Sequence, residues 1–67
     1  MNLRVNGESR TIPTDVQSIR ALLLHLNIEL KCVAVELNGE ILETSQFQSA
    51  RLKENDKIEI VSFVGGG

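Results

Sequence analysis

The segment Ser18-Ile19-Arg20-Ala21-Leu22-Leu23-Leu24-His25-Leu26-Asn27 has the apolar spacing of an amphipathic helix. Large aliphatic side chains recur at i, i+3, i+4 and i+7, which places them on one face of a helix. This stripe consists of Ile19, Leu22, Leu23 and Leu26. Leu24 lies off the stripe and is expected to be exposed. The segment therefore predicts one helix with a single face to bury.

The start of this helix has two candidate positions. Ser18 is a good N-cap, because its hydroxyl can accept a bond from a free backbone N–H of the first turn. Thr14 with Gln17 offers a competing capping box one turn earlier. At the other end, Asn27 is expected to close the helix.

Alternating strand patterns followed by Asn-Gly lie on both sides of the helix. Asn6-Gly7 and Asn38-Gly39 supply residues that tolerate the positive φ of a type I′ turn. Each pair therefore predicts a β-hairpin, and Pro13 ends the first one because proline cannot donate to the ladder. The expected strands are 3–5, 10–12, 32–37 and 40–42, with a last strand over 57–63.

The region between the second hairpin and the last strand is polar and mixed. Within 44–50, Phe47 is the expected anchor of a loop or a short 3-10 turn. Glu54-Asn55-Asp56 is typical of a turn, in which we expect the carboxylates to be solvated. Neither region predicts a further long element.

The order of elements is therefore hairpin, helix, hairpin, final strand, which indicates an α+β fold. A sheet with one apolar face can bury it under a single amphipathic helix, in two layers. The final strand is expected to lie beside the first, at the centre of the sheet. By analogy this is the β-grasp (ubiquitin-like) arrangement, a mixed four- to five-stranded sheet packed on one main helix. We expect residues 1–64 to form a single β-grasp domain and 65–67 a flexible glycine tail.

The composition of the chain argues against several classes of function. The chain has 67 residues, a net charge of −2, two Phe and no Tyr or Trp, and its basic residues are scattered. Nucleic-acid binding, which relies on clustered positive charge and aromatic platforms, is therefore not expected. The apolar run 21–24 is far shorter than a membrane helix, so no membrane association is expected. The lone Cys32 cannot form an internal disulfide, which favours a cytoplasmic location.

Residues for catalysis or metal binding are scarce. His25 and Cys32 provide two potential soft ligands, too few for a zinc site, so no metal site is predicted. We expect His25 to lie on the helix surface and Cys32 to behave as a small buried apolar residue. The sequence thus predicts a protein that is not an enzyme.

The last residues carry the strongest functional pattern. Strand alternation puts Val61 and Phe63 on the solvent side, and Val64 follows. Apolar side chains exposed beside a chain end suggest partner docking, although Phe63 could instead fold back over the sheet edge. Gly65-Gly66-Gly67 is either a frayed end or a thin segment that threads another protein's channel, since glycine lacks a Cβ. The group that it would deliver is the carboxylate of Gly67.

The whole chain resembles the ThiS family, the sulfur carriers of thiamine biosynthesis, within the ubiquitin-like β-grasp group. The resemblance covers the length, Val5-Asn6-Gly7, the leucine-rich helix that starts at Ser18, and Val35-Glu36-Leu37-Asn38-Gly39. Its most specific part is the end, Asp56-Lys57-Ile58-Glu59-Ile60-Val61-Ser62-Phe63-Val64-Gly65-Gly66-Gly67.

This resemblance implies a function for the last residues. A ThiF-type adenylating enzyme, using ATP and magnesium, would activate Gly67, and cysteine-derived sulfur would convert it to a thiocarboxylate. The thiazole synthase, ThiG, would then accept the sulfur. By the same resemblance, Gly65 and Gly66 would thread partner channels, Val61, Phe63 and Val64 would help docking, and the chain itself would hold no tight cofactor.

Four alternatives stay open at this point. The small sulfur carrier of molybdopterin synthase, MoaD, is similar, but that family is usually longer and commonly has prolines before its terminal glycines, whereas Pro13 is the only proline here. A carrier for another sulfur pathway, or a protein-conjugating relative, would have nearly the same sequence. A non-covalent β-grasp interaction module would bind through Val61 and Phe63 without any chemistry at Gly67.

Overall fold

The computed structural model describes residues 1–62, and within them one main helix covers one face of a five-stranded sheet. The strands are β1 (Asn2–Val5), β2 (Glu8–Thr11), β3 (Val33–Leu37), β4 (Glu40–Leu42) and β5 (Lys57–Ser62). The helix, α1, spans Ile19–His25, and single 3-10 turns occupy Leu30–Cys32 and Thr44–Gln46. The tail expected over 65–67 lies outside the described residues.

The sheet has the strand order β2-β1-β5-β3-β4. β5 lies parallel to β1, with Arg4 beside Lys57 and Val5 beside Ile58, and all other neighbours are antiparallel. The final strand therefore lies beside the first at the centre of a mixed sheet. The predicted β-grasp fold is confirmed, with five strands.

Both Asn-Gly pairs form the hairpin turns that the sequence predicts. The φ angles are +50° at Asn6 and +82° at Gly7 in the first turn, and +52° at Asn38 and +88° at Gly39 in the second. Two consecutive positive φ values define the type I′ turn, whose twist matches that of the flanking strands. These turns set the register of each hairpin.

The N-terminus of α1 is capped both by its own sequence and by a distant loop. The Ser18 hydroxyl accepts a bond of 3.1 Å from the backbone N–H of Ala21, which confirms the predicted N-cap. The first two N–H groups of the helix donate to the carbonyl oxygens of Ala50 and Phe47, at 3.1 and 2.9 Å. Phe47 is buried, as expected of a loop anchor. The loop thus satisfies donors that would otherwise lack partners.

The competing helix start at Thr14 is wrong. Residues 13–16 form a turn, in which the N–H of Val16 donates to the carbonyl of Pro13 at 3.0 Å. The Gln17 carbonyl accepts a bond from the N–H of Leu52 at 2.9 Å. Because Gln17 is engaged with a distant segment, the helix begins after Ser18.

The C-terminus of α1 ends in a Schellman motif. Asn27 has φ +60°, and its N–H donates to the Leu24 carbonyl at 3.1 Å. The N–H of Ile28 donates to the Leu23 carbonyl at 2.9 Å. These are the paired bonds that satisfy the last carbonyls of a helix, so the prediction that Asn27 closes α1 is confirmed.

The core lies between the apolar stripe of α1 and the inner face of the sheet. α1 contributes three fully buried side chains, and the sheet contributes five more, at most 6% exposed. They are Ile19, Leu22 and Leu23 from α1, and Leu3, Val5, Val33, Val35 and Ile58 from the sheet. Burial of each such side chain stabilises the fold by about 1.5–3 kcal/mol. A seven-residue helix is too short to persist alone, so this packing holds it.

The environment of Asp56 differs from the solvated one that the sequence predicts. Its carboxylate, expected to be solvated, is buried and accepts two hydrogen bonds. The Asn38 amide donates to Oδ1 at 2.9 Å, and the backbone N–H of Lys53 donates to Oδ2 at 2.7 Å. The Asn38 Oδ1 in turn accepts a bond from the N–H of Lys57 at 2.9 Å. Asp56 is buried because it ties the second hairpin turn to the loop that precedes β5.

Replacement of Asp56 by alanine is expected to lower the free energy of unfolding by about 2–3 kcal/mol, because loss of this charged acceptor removes two part-buried hydrogen bonds, from the Asn38 amide and the Lys53 N–H. Urea unfolding followed by circular dichroism measures this loss. Asp15→Ala, at an exposed turn position, is the matched control and should change stability by less than about 0.5 kcal/mol. Equal effects of the two substitutions would show that the Asp56 bonds contribute nothing.

Candidate functional site

The outer face of the sheet, turned away from α1, carries the residue that the sequence selected for docking. Along β5, Ile58 is fully buried, whereas Val61 is 59% exposed. Alternation along a strand sends neighbouring side chains to opposite faces, so Val61 shares the outer face with Glu59. The predicted exposure of Val61 is therefore confirmed.

Two more apolar residues lie beside Val61 on this face. Ala34 is directly opposite Val61 in the register of β3 with β5, and Ile41 on β4 is 70% exposed. We call Ala34, Ile41 and Val61 the outer patch. Of these three residues, the sequence pattern selected only Val61. Alternation against the buried Leu42 was the available signal for Ile41. Which strands lie side by side is decided only by the fold.

A pair of carboxylates borders the outer patch. Glu36 on β3 is directly opposite Glu59 on β5, and Ile41 is opposite Glu36 on the other side. Both glutamates are half-buried. Together with the outer patch they line a shallow hollow of about 80 Å³. Ligand pockets usually measure about 300–1,000 Å³, so this hollow suits a side chain rather than a cofactor.

A larger, open groove of about 410 Å³ lies elsewhere, along Met1, Gln17 and Lys53. Its lining shares no residue with the outer patch. The groove adjoins the start of β5, and the outer patch adjoins the end of that strand. The groove therefore adds nothing to the docking face.

The two Asn-Gly turns hold β5 from both sides. The Asn6 side-chain Oδ1 accepts a bond of 2.7 Å from the N–H of Ile60, and the Asn6 N–H donates to the Ile58 carbonyl at 2.9 Å. On the opposite side, the Asn38 N–H donates to the Lys57 carbonyl at 2.8 Å. β1 ends at Val5, so the Asn6 side chain takes the place of a further strand residue. The end of β5 is thus a fixed platform.

The remaining predicted site residues lie outside the described residues. They are Phe63, Val64, Gly65, Gly66 and Gly67. The last described residue, Ser62, is exposed and pairs in register with Val33 at the end of β5. Val61 of the outer patch is therefore next to the last described residue, and the predicted tail begins at 65.

His25 and Cys32 are both exposed. This confirms the surface position of His25 and shows that the expectation of a buried Cys32 is wrong. Val33, the first residue of β3, is buried, so alternation places the preceding side chain on the outer side, and Cys32 itself ends a 3-10 turn. No three potential metal-ligating side chains come together within residues 1–62. In that same range, no helix has the length and hydrophobicity needed to cross a membrane.

The family model described as "ThiS family" matches residues 3–67 of this sequence. The chain belongs to the ThiS family. It is 40% identical to the sulfur carrier protein ThiS of Bacillus subtilis (strain 168) over 65 residues, which are 97% of this chain and 98% of that protein. The predicted resemblance is therefore confirmed over nearly the full length.

A solved ThiS-family structure has the same fold. The crystal structure of the thiamine biosynthesis protein (ThiS) from Geobacter metallireducens superimposes with a TM-score of 0.85 at 39% identity, covering 100% of both chains. The β-grasp order described above is thus the order expected of a ThiS-family member.

A longer relative contains a region similar to this ThiS-family chain. The thiazole synthase of Paramagnetospirillum magneticum is 40% identical over 67 residues, which are 100% of this chain. The chain spans only 20% of the length of that synthase. A ThiS-like sequence therefore also occurs as part of a larger protein that is named for thiazole synthesis.

Proposed function

We propose that this chain is a sulfur carrier of thiamine biosynthesis whose Gly67 carboxylate holds the sulfur as a thiocarboxylate. The observation that carries the proposal is the ThiS-family match, which extends through Gly67. The match in length to the Bacillus subtilis sulfur carrier supports it. The same matches favour the thiamine pathway over the molybdopterin alternative.

In the proposed reaction, a ThiF-type adenylating enzyme uses ATP and magnesium. An oxygen of the Gly67 carboxylate attacks the α-phosphorus of ATP, pyrophosphate leaves, and an acyl-adenylate forms. A sulfide-level sulfur nucleophile derived from cysteine then attacks the acyl carbon, the bond between that carbon and the AMP oxygen breaks, AMP leaves, and Gly67 ends in a thiocarboxylate. These catalytic groups belong to the partners, so the chain is a carrier that holds no tight cofactor of its own.

In this proposal, residues of the chain itself dock the partner and place the Gly67 carboxylate in the partner's active site. The outer patch docks the partner, and the apolar side chains of Phe63 and Val64 contribute to the same docking. Gly65 and Gly66 thread the partner's channel, because a residue without a Cβ fits a narrow passage and accepts any backbone angle. The platform held by Asn6 and Asn38 keeps the docking face in one orientation.

A ThiG-type thiazole synthase is the proposed acceptor of the sulfur. The similarity to a region of the Paramagnetospirillum magneticum thiazole synthase supports this partner. We place the reaction in the cytoplasm, because Cys32, the single cysteine of the sequence, is unpaired.

Intact-protein mass spectrometry tests the proposed function. The 67-residue chain is incubated with ATP, magnesium, a sulfur source and the ThiF-type enzyme of the same organism. We expect a mass gain equal to the replacement of one oxygen by sulfur, dependent on ATP. An unchanged mass, with an enzyme shown to be active on another carrier, would overturn the proposal and favour the non-covalent module.

Truncation of Val61 to alanine is expected to raise the KM of the chain as substrate for the adenylating enzyme about fivefold, because apolar contact area is lost at the docking face. The value of kcat should stay the same. Leu24→Ala, an exposed apolar residue on α1 on the other side of the sheet, is the control and should leave KM unchanged. Equal KM values for the two variants would place docking elsewhere.

A further inference from the structure

The carboxylate pair beside the outer patch has an arrangement that costs stability in the free chain. Glu36 and Glu59 are directly opposite on neighbouring antiparallel strands, where side chains lie close together. Like charges at such positions repel each other and destabilise the sheet. Both side chains are also half-buried, which lessens screening by solvent.

The surroundings of the pair compensate the charge of Glu59 but not that of Glu36. Lys57 lies two residues before Glu59 on the outer face, and Arg4 on β1 lies beside Lys57 on the same face. Glu36 has Ile41 opposite it on β4 and no basic residue in its own cross-strand row. Glu36 is therefore the uncompensated charge of the pair, and it is bordered by apolar side chains.

We propose that this site receives one arginine side chain of the adenylating partner. The guanidinium lies between Glu36 and Glu59, and its planar donors can serve both carboxylates. The aliphatic stem of the arginine lies on the outer patch. This inference rests on the proposed function, since it assumes that the outer patch docks the enzyme.

The chemistry of the site favours this occupant over two others. A divalent cation in a protein requires more oxygen ligands than two carboxylates, and no third ligating side chain joins them within residues 1–62. A second copy of this chain, stacked about a two-fold axis through the carboxylate pair, would place the two pairs against each other. A partner with complementary charge is therefore preferred.

Reversing the charge of one glutamate distinguishes the effect of the pair on stability from its effect on binding. Glu36→Lys converts the repulsion into an attraction, so we expect the Tm of the free chain to rise by roughly 2–6 °C. The same lysine would repel the partner's guanidinium, so the Kd for the adenylating enzyme should rise at least about tenfold. A merely structural role for Glu36 would not move stability and binding in opposite directions.

Glu40→Lys is the matched control. Glu40 is exposed on β4 next to Ile41, so its side chain lies on the other side of that strand, and its replacement changes the net charge equally. Binding is measured by titration calorimetry with the 67-residue chain and the adenylating enzyme without ATP, at low and physiological salt. We expect Glu40→Lys to change Kd less than about twofold.

Three outcomes would overturn the inference. The first is an equal loss of affinity in both variants, which would indicate long-range charge alone. The second is an unchanged Kd for Glu36→Lys. The third is dimerisation of the free chain that this variant abolishes. Thiocarboxylate formation by the wild-type chain is measured separately, so a failure of the proposed function is distinguishable from a failure of the arginine site.

Discussion

A chain lengthened by one alanine after Gly67 is expected to lose all detectable thiocarboxylate formation. The added residue turns the Gly67 carboxylate into an amide, which cannot attack ATP. The new terminal carboxylate belongs to a residue with a Cβ and lies one residue beyond the position that the partner's active site reaches. Intact-protein mass spectrometry under the conditions given above measures the loss.

The lengthened chain also provides its own controls. Its Tm should equal that of the original chain, because the core side chains and hydrogen bonds described above all belong to residues 1–62. Its Kd for the adenylating enzyme should change little, because the outer patch is intact. A sulfur-dependent mass gain in the lengthened chain would show that sulfur attaches at another residue, and would exclude Gly67 as the carrier.

Leu22→Ala is expected to lower the free energy of unfolding by about 2–5 kcal/mol, the cost of removing a fully buried leucine and leaving a cavity. A domain of this size has only a few kcal/mol of stability, so the variant should be largely unfolded at room temperature. Urea unfolding followed by circular dichroism measures the change.

Leu24→Ala is the matched control for this prediction. Leu24 lies on the same helix and is 52% exposed, so its truncation should cost less than about 0.5 kcal/mol. Comparable losses in the two variants would contradict the assignment of one buried stripe to α1. The two variants also test whether the sequence correctly separates the leucines of the buried face of α1 from the exposed one.

Much of the fold follows from rules that act within a few residues. The type I′ turns require only Asn-Gly between alternating strands, and the N-cap requires only a serine before an apolar stripe. The closing of α1 at Asn27 is similarly local, since asparagine tolerates a positive φ. These features were predictable because their bonds join residues at most five positions apart.

One prediction failed because distant segments form the environment of the residue. Asp56 is buried where Asn38, 18 positions earlier, donates to it. A distant contact also bears on the choice between the two helix starts, since the Gln17 carbonyl accepts a bond from the N–H of Leu52. The expectation for Cys32 failed for a local reason. The next residue along the chain is buried, so alternation puts the cysteine on the outer side, whereas the expectation rested on the usual burial of cysteine.

Some features of the candidate site were likewise predictable from local patterns, and others depend on the fold. The outward position of Val61 and the family resemblance could be predicted from the sequence, because alternation and a terminal motif can be read along one strand. That Ala34 and Ile41 join Val61, and that Glu36 is opposite Glu59, is seen only in the folded sheet. The physical reason is that these side chains come from three strands, whose pairing and register depend on closing the sheet over the core rather than on any local preference.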